Sequence, residues 1–161
     1  IGNSKLDKDG LATAQAALEK AVKKNIRLLL PIDNVIADKF DAGAATQVVG
    51  EDIPDGWMGL DIGPKTVQLF KDALKDAKTV VWNGPVGVFE MEKFASGTRE
   101  IAQYLAARTG VTTVIGGGDT AAAMAAFKLD DKMTHISTGG GASLEYLEGR
   151  GLPGIDALQN A

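Results

Sequence analysis

The order of apolar and polar positions from residue 64 onward alternates between helical and strand patterns. After Pro64, apolar residues recur every three or four positions, as Val67, Phe70 and Leu74 do, and a short apolar run at 79–82 follows. That spacing predicts an amphipathic helix opened by proline and then a strand. Further segments continue the alternation: helix 94–108, strand 112–115, alanine-rich helix 119–128 and strand 133–137. Alternating helices and strands predict an α/β fold with a parallel sheet between helices, in three α/β/α layers.

The first 63 residues have a less regular pattern. Helical spacing of Leu11, Leu18 and Ala21 predicts an amphipathic helix over 7–24. The continuous apolar run 26–32 predicts a buried strand, with 35–37 as its extension beyond Pro31. The stretch 41–63 is rich in Gly, Asp and Pro, and it predicts a long connection with a small hairpin that contains the strand Thr46–Val49.

Composition narrows the class of protein. The 161 residues, 45% of them hydrophobic, suffice for one domain with one core. A net charge of −4 without a basic stripe argues against a nucleic-acid partner. The absence of cysteine and the single histidine, His135, exclude thiolate chemistry and histidine clusters, and no apolar run approaches the roughly twenty residues of a membrane span. Because the chain begins with Ile1, we expect a fragment or a processed product.

Two glycine triplets, at 116–118 and 139–141, are the most informative motifs. Each follows a predicted strand and precedes a predicted helix. Consecutive glycines let backbone N–H groups approach an anion closely, and the N-terminus of the following helix adds a favourable dipole. The two triplets therefore predict a phosphate cradle.

Three glycine-bearing loops follow predicted strands, at 83–90, 116–120 and 137–141. In an open α/β sheet the ligand binds at this carboxyl edge. Phosphoryl transfer needs charge neutralisation and usually Mg²⁺, and Asp119 is the natural carboxylate ligand there, unless it only caps the helix that follows. Glu90 could bind a ribose hydroxyl or simply be solvated. Asn83 could contact the ligand or form a turn.

Other readings stay open from the residues alone. Ser137 and Thr138 could simply cap the last helix, and His135, in a strand with apolar neighbours, is expected to be structural. The pattern Gly116-x-Gly118-x-x-Ala121 matches a dinucleotide fingerprint, so an NAD-dependent oxidoreductase remains an alternative. That match lacks an acidic residue at the end of the next strand, and Asp119 would face the pyrophosphate. No Walker P-loop pattern occurs.

Four motifs together resemble the C-terminal, nucleotide-binding domain of phosphoglycerate kinase. They are WMGLDIGP at 57–64, VWNGPVGVFE at 81–90, IGGGDT at 115–120 and HISTGGGASLE at 135–145. Phosphoglycerate kinase exchanges a phosphoryl group between 1,3-bisphosphoglycerate and ADP in glycolysis. The resemblance covers essentially the whole chain, and it implies that residues 1–161 form a Rossmann-like domain of a two-domain kinase.

The resemblance also implies roles for individual residues. Gly59, Leu60 and Val88 would line the adenine pocket, Asn83 would approach the nucleotide, and Glu90 would bind the ribose. The phosphates of ATP or ADP and the Mg²⁺ ion would be held by a run of four residues, with Asp119 on the metal: Gly117, Gly118, Asp119 and Thr120. Catalytic contacts to the phosphoryl group in transit would come from the backbone of Gly118, Gly139 and Gly140.

The family's further machinery is expected to lie outside this chain. It comprises lysines from a loop that would precede Ile1 and an N-terminal domain whose arginines and histidine hold 3-phosphoglycerate. The resemblance implies a monomeric, cytoplasmic parent enzyme with no membrane or nucleic-acid partner. We expect the isolated chain to bind Mg-nucleotide without catalysing. The alternatives are an NAD-dependent oxidoreductase fragment and a structural fragment that binds nothing tightly.

Overall fold

The computed structural model describes residues 1–137 and 139–159, whose helices and strands alternate along most of the chain. In chain order these elements are α1 (Leu11–Lys23), β1 (Asn34–Ala37), β2 (Thr46–Val49), β3 (Met58–Ile62), α2 (Pro64–Leu74), β4 (Thr79–Asn83), α3 (Ser96–Ala106), β5 (Thr112–Gly116), α4 (Gly118–Ala126), β6 (His135–Ser137), α5 (Gly140–Leu147) and α6 (Pro153–Gln159). Short 3₁₀ turns at Glu92–Phe94 and Asp130–Lys132 precede α3 and β6. None of the helices in these two ranges is long and apolar enough to cross a membrane.

A parallel sheet carries the fold, in the order β4-β5-β6. Val81 pairs with Val114, and Gly116 pairs with Ser137. Each crossover between these strands contains a helix, α3 after β4 and α4 after β5. The carboxyl ends of the three strands therefore meet at one edge, and the parallel α/β sheet flanked by helices that the sequence predicts is confirmed.

The core lies on one face of this sheet. Trp82 on β4 and Ile115 on β5 are buried there against Val67 of α2, Ile101 of α3 and Met124 of α4. Fully burying a side chain of this size stabilises the fold by about 1.5–3 kcal/mol. Strand side chains alternate between faces, and Val81, on the opposite face, is 44% exposed. The helices α2, α3 and α4 are therefore fixed against the strands whose ends carry the glycine loops.

A second, antiparallel sheet has the order β2-β1-β3. The strand β2 has the bounds that the sequence predicts, but the strand β3 lies inside the segment expected to be a connection. The extended segment 35–37 is also paired differently from the prediction, because β1 joins β2 and β3 in this sheet and does not extend the parallel one. A buried cluster of Ala37, Leu60 and Phe94 packs beneath the second sheet.

The predicted buried strand at 26–32 is wrong. No strand of the described residues pairs with this run, and its side chains are largely exposed: Ile26 59%, Leu28 42%, Leu30 57% and Ile32 41%. A strand needs a neighbour to satisfy its backbone N–H and C=O groups. The apolar pattern alone does not supply that neighbour.

The helices agree with the prediction within a few residues, with two differences in burial. In α1 only Ala21 is buried, while Val22 is 80% exposed. Phe94, predicted to begin the third helix, lies in the 3₁₀ turn before α3 and is fully buried. Helix length thus follows the local pattern, whereas burial depends on what packs against each face.

Candidate functional site

The side chain of Asn83 marks the point at which the three glycine loops meet. Asn83 ends β4, and its Oδ1 would lie 3.2 Å from a Cβ placed on Gly116 and 3.0 Å from one on Gly117. A Cβ on Gly140 would lie 3.1 Å from the same oxygen and 2.7 Å from the Cα of Gly117. Real Cβ atoms do not come this close to backbone carbon. The two triplets, far apart in sequence, are therefore in direct contact at the carboxyl edge of the sheet.

Hydrogen bonds between the loops hold this arrangement. The Gly84 N–H donates to Thr120 Oγ1 over 2.7 Å, which joins the loop after β4 to the first turn of α4. The Gly117 N–H donates to the Ser137 carbonyl over 3.1 Å, which joins the ends of β5 and β6. Gly84 and Gly117 have φ values of 100° and 89°, which side chains rarely allow. The carboxyl edge is thus a preformed backbone surface.

The N-terminus of α4 faces open space. Gly118 begins this helix and is exposed, and a Cβ placed on it would meet no described atom within 4 Å. The first N–H groups of a helix have no partner inside the helix, and the helix dipole makes this end attractive to anions. The cradle predicted from the first glycine triplet is therefore open on the side where a phosphate would bind.

Asp119 lies in the first turn of α4 and is exposed. No side-chain cap hydrogen bond is present at this helix, and within residues 1–137 and 139–159 the carboxylate has no hydrogen-bond or ion-pair partner. The alternative in which Asp119 serves as a hydrogen-bonding cap is thus not supported. A free carboxylate beside open helix N–H groups suits a hard cation that also binds phosphate.

Among the described side chains at the start of α4, the carboxylate of Asp119 is the candidate ligand for Mg²⁺. No group of three or more His, Cys, Asp or Glu side chains capable of holding a metal occurs in the described part of the chain. Mg²⁺ commonly takes one or two carboxylates and completes its octahedral shell with phosphate oxygens and water. Asp119 would fit as that carboxylate if phosphate oxygens and water completed the shell.

An apolar cleft of about 930 Å³ lies next to the loop after β4. Gly59, Leu60 and Val88 all line it, as the predicted adenine pocket requires. The Val88 N–H donates to the Leu60 carbonyl over 2.9 Å, so the loop is bound to β3. The Gly59 N–H donates a hydrogen bond to Ser4 Oγ over 2.9 Å. These contacts give the cleft a defined wall.

The other predicted site residues have mixed surroundings. Thr120 is fully buried, and its hydroxyl oxygen accepts a hydrogen bond from the Gly84 N–H. Glu90 and Gly139 are exposed. His135 is also exposed on β6, which does not support a buried structural role. Thr138, a candidate cap, lies outside the described residues.

Sequence reasoning missed Asp61, a buried carboxylate that lines the cleft. It is 5% exposed, and its two oxygens accept hydrogen bonds from the N–H groups of Ile62 (2.9 Å) and Gly97 (2.8 Å). Burial raises its pKa to about 6, and the charge of Glu100 acts in the same direction against these two hydrogen bonds. The only sequence signal is its place within the WMGLDIGP motif.

A second buried carboxylate, Asp33, behaves in the opposite way. It accepts hydrogen bonds from the N–H groups of Lys65 (2.9 Å) and Thr66 (2.7 Å) and from the Thr66 hydroxyl (2.6 Å). Burial alone would raise the pKa of Asp33, but these three donors outweigh it and hold the pKa below its ordinary value. Asp33 therefore caps α2 as a stable carboxylate, whereas burial disfavours the charged form of Asp61.

Comparisons with known proteins agree with the geometry. The family described as Phosphoglycerate kinase matches residues 1–150. The phosphoglycerate kinases of Limosilactobacillus reuteri and Trichodesmium erythraeum are 59% and 58% identical over 99% of this chain. The structure of phosphoglycerate kinase from Coxiella burnetii superimposes with a TM-score of 0.90 at 43% identity, covering 97% of this chain and 40% of that one. The chain spans about 40% of the length of the curated relatives that it matches. It belongs to the phosphoglycerate kinase family.

Proposed function

We propose that this chain is the C-terminal, nucleotide-binding part of a phosphoglycerate kinase and that it binds Mg-ADP or Mg-ATP. In the parent enzyme it would serve phosphoryl exchange between 1,3-bisphosphoglycerate and ADP in the cytoplasm. The observation that supports this most strongly is the contact between the two glycine triplets at Asn83, beside the open N-terminus of α4.

The proposed binding mode divides the nucleotide between two regions. The adenine lies in the apolar cleft against Gly59, Leu60 and Val88, and the exposed Glu90 binds the ribose. The phosphates extend to the carboxyl edge of the sheet, where the backbone N–H groups of Gly118 and Thr120 face them, while Gly117, whose N–H donates to the Ser137 carbonyl, shapes the turn. Preorganised N–H donors stabilise developing negative charge without reorganising during the reaction.

The metal and the transferring group are served by different residues. Asp119 holds Mg²⁺, and the bound ion supplies neutralisation of phosphate charge. Gly118, Gly139 and Gly140 direct backbone N–H groups at the phosphoryl group. The direct contact between Gly117 and Gly140 makes these two sets of donors neighbours. They can therefore act on adjacent phosphates of one nucleotide.

The isolated chain is expected to bind but not to catalyse. The three loops at 83–90, 116–120 and 137–141 contain no lysine or arginine. A transferring phosphoryl group then lacks cationic stabilisation, and 3-phosphoglycerate would be held by a separate domain of the parent. Each missing electrostatic contact costs about 3–4 kcal/mol of barrier in comparable sites. Turnover by the purified 161-residue chain would contradict this part of the proposal.

Calorimetric titration with ADP, ATP and NAD, each with and without Mg²⁺, tests the binding proposal. We expect ADP and ATP to bind more tightly with Mg²⁺. The variant Asp119→Ala should lose that Mg²⁺ dependence and keep the fold, since its carboxylate makes no hydrogen bond in the described structure. Asp130→Ala is the matched control, because Asp130 is an exposed carboxylate that precedes β6 at the opposite edge of the sheet.

The alternatives predict different results. Tight NAD binding that ignores Mg²⁺ would favour an oxidoreductase fragment, which the family comparison does not favour. Absence of binding to every nucleotide by a folded chain would favour a structural fragment. Equal Mg²⁺ dependence in Asp119→Ala and Asp130→Ala would remove Asp119 from the metal site.

A further inference from the structure

Asp61 connects three elements through one carboxylate. The carboxylate accepts one hydrogen bond from the Ile62 N–H on its own strand, β3, and one from the Gly97 N–H at the start of α3. A Cβ placed on Gly87 or on Gly97 would overlap the Asp61 side chain. Glycine at those two positions therefore creates the space into which the carboxylate fits, between the loop after β4 and the first turn of α3.

The loop itself is fixed on both sides of this carboxylate. The Val86 N–H donates to Thr98 Oγ1 over 3.1 Å, and the Val88 N–H donates to the Leu60 carbonyl over 2.9 Å. Thr98 follows Gly97, the residue on α3 that donates to Asp61. Leu60 precedes Asp61 itself on β3. A change in the spacing between β3 and α3 therefore moves both attachment points of the loop.

The helix depends on the same group. The residue before α3, Ala95, has no side chain that can cap, and no side-chain cap hydrogen bond comes from that position. Asp61 supplies the acceptor from a different strand, through the Gly97 N–H. Losing the negative charge would weaken the two hydrogen bonds that Asp61 accepts, and losing one oxygen would leave a buried N–H without a partner, which proteins rarely tolerate.

We propose that Asp61 is a positioning residue for the adenine side of the nucleotide site, because its carboxylate sets the loop that carries Val88 against β3 and α3. This inference rests on the proposed nucleotide function. Asp61 is expected to act through the backbone of the loop without touching the nucleotide, although it lines the same cleft as Gly59 and Val88.

The surroundings of Asp61 make its charge sensitive to pH. On α3 the charged group that acts on it is Glu100, which is itself paired with Lys71 of α2 at 2.7 Å. The closest neighbours on the loop and on β3, Gly87 and Ile62, carry no charge. Protonation would turn one oxygen from an acceptor into a donor facing an N–H group. The carboxylate form therefore holds the loop, and acidification releases it.

Amide titration of the ¹⁵N-labelled chain tests the inference without a ligand. We expect the amide signals of Gly97, Val86 and Val88 to shift together on acidification, with a common midpoint at a pH of about 6. In Glu100→Gln that midpoint should fall, since the neighbouring negative charge is gone. A purely structural residue would not transmit this shift to the loop. If the amide signal of Gly97 shifts while those of Val86 and Val88 do not, the proposal is wrong.

Binding of adenosine gives the functional arm, because adenosine carries no phosphate whose ionisation would confuse the comparison. Its affinity should fall about tenfold on acidification through the Asp61 midpoint, a change equivalent to about 1.4 kcal/mol. In Asp61→Asn the affinity should be low at both pH values. Asp33→Asn is the matched control, since Asp33 is a buried capping carboxylate of α2 that does not line the cleft.

The outcomes separate this inference from the proposed function. If Mg-ADP binds but adenosine affinity is independent of pH and equal in Asp61→Asn and Asp33→Asn, the positioning role is wrong while the nucleotide function stands. If no nucleotide binds, the proposed function fails, and coupled amide shifts would still report whether Asp61 sets the loop. If Asp61→Asn does not fold, the titration of the unmodified chain decides.

Discussion

Replacing Gly140 by alanine is the sharpest test of the contact between the two glycine triplets. A Cβ at this position would lie 2.7 Å from the Gly117 Cα and 3.1 Å from the Gly117 nitrogen. Carbon atoms in favourable contact are about 3.5–4.0 Å apart, so the backbone must separate by about 1 Å. Because the clashing atoms are backbone, a side-chain rotation cannot relieve the overlap.

The neighbouring glycine provides the matched control. A Cβ on Gly141 would meet no described atom within 4 Å, and both residues lie in the first turn of α5. Alanine is favoured over glycine in helices by about 1 kcal/mol, and this gain applies to both variants. Overpacking costs about 1–3 kcal/mol, and it applies to Gly140→Ala alone. We therefore expect Gly140→Ala to be less stable than Gly141→Ala by about 1–3 kcal/mol.

Urea unfolding followed by circular dichroism measures that difference, and calorimetry measures its effect on Mg-ADP. A displacement of about 1 Å in a positioned site can cost roughly 100-fold in function, so Gly140→Ala should bind Mg-ADP at least about tenfold more weakly than Gly141→Ala. Equal stability of the two variants would refute the packing argument. Equal Mg-ADP affinity would show that the second triplet does not shape the nucleotide site.

Three further predictions address other parts of the fold and the site. Asp33→Ala should lower the free energy of unfolding by about 3 kcal/mol, because the N–H groups of Lys65 and Thr66 at the start of α2 lose their buried acceptor. Urea titration measures this loss, with Asp55→Ala as the exposed control. Gly118→Ala should leave stability within about 1 kcal/mol and weaken Mg-ADP binding by calorimetry about tenfold or more, since the new Cβ enters open space in the cradle. Burial is the largest cause of the rise in the pKa of Asp61 from 3.8 to about 6, so protonation removes the cost of burying the charge and stabilises the whole fold at low pH, even though the neutral form holds the loop less well. That stability is lost as pH rises through about 6. The difference in pKa between 3.8 and about 6 corresponds to about 3 kcal/mol. Between acidic and neutral pH, the unfolding free energy of the unmodified chain should fall by this amount relative to that of Asp61→Asn.

Each of these predictions can fail on its own terms. A loss below about 1 kcal/mol in Asp33→Ala would show that water replaces the carboxylate at the start of α2. Unchanged Mg-ADP affinity in Gly118→Ala would place the phosphates away from α4. Parallel stability curves for Asp61→Asn and the unmodified chain would mean that Asp61 keeps an ordinary pKa.

The elements predicted well are those that local pattern determines. The helices α2 and α4 and the strands β4 and β5 lie within a few residues of their predicted bounds, because helical or strand periodicity is present in each segment by itself. Their alternation also implies parallel strands and hence a common carboxyl edge, while the order β4-β5-β6 is known only from the structure. The convergence of the glycine loops follows from that topology and needs no knowledge of side-chain packing.

The elements predicted poorly depend on distant partners. The strand β3 lies in a Gly-, Asp- and Pro-rich stretch that locally favours turns, and its strand conformation comes from pairing with β1. The apolar run 26–32 has a strand pattern but no described strand beside it. A strand is defined by its neighbour as much as by its own residues.

The candidate site shows the same division. The position of Asp119 at the start of α4 could be predicted, because a glycine triplet and a helical pattern flank it. The burial of Asp61 could not be predicted, because it results from Gly87 and Gly97 approaching the carboxylate from two other segments. Tertiary contacts of this kind have no signature within a single stretch of sequence.

Mapping of amide shifts on adding Mg-ADP to the ¹⁵N-labelled chain shows directly whether the loops that meet at Asn83 form the phosphate site. We predict the largest shifts at Gly84, Gly117, Gly118 and Gly140, with the amino-edge residue Thr112 unchanged. Shifts confined to the amino edge of the sheet, or none at saturating Mg-ADP, would show that the glycine loops do not bind the phosphates.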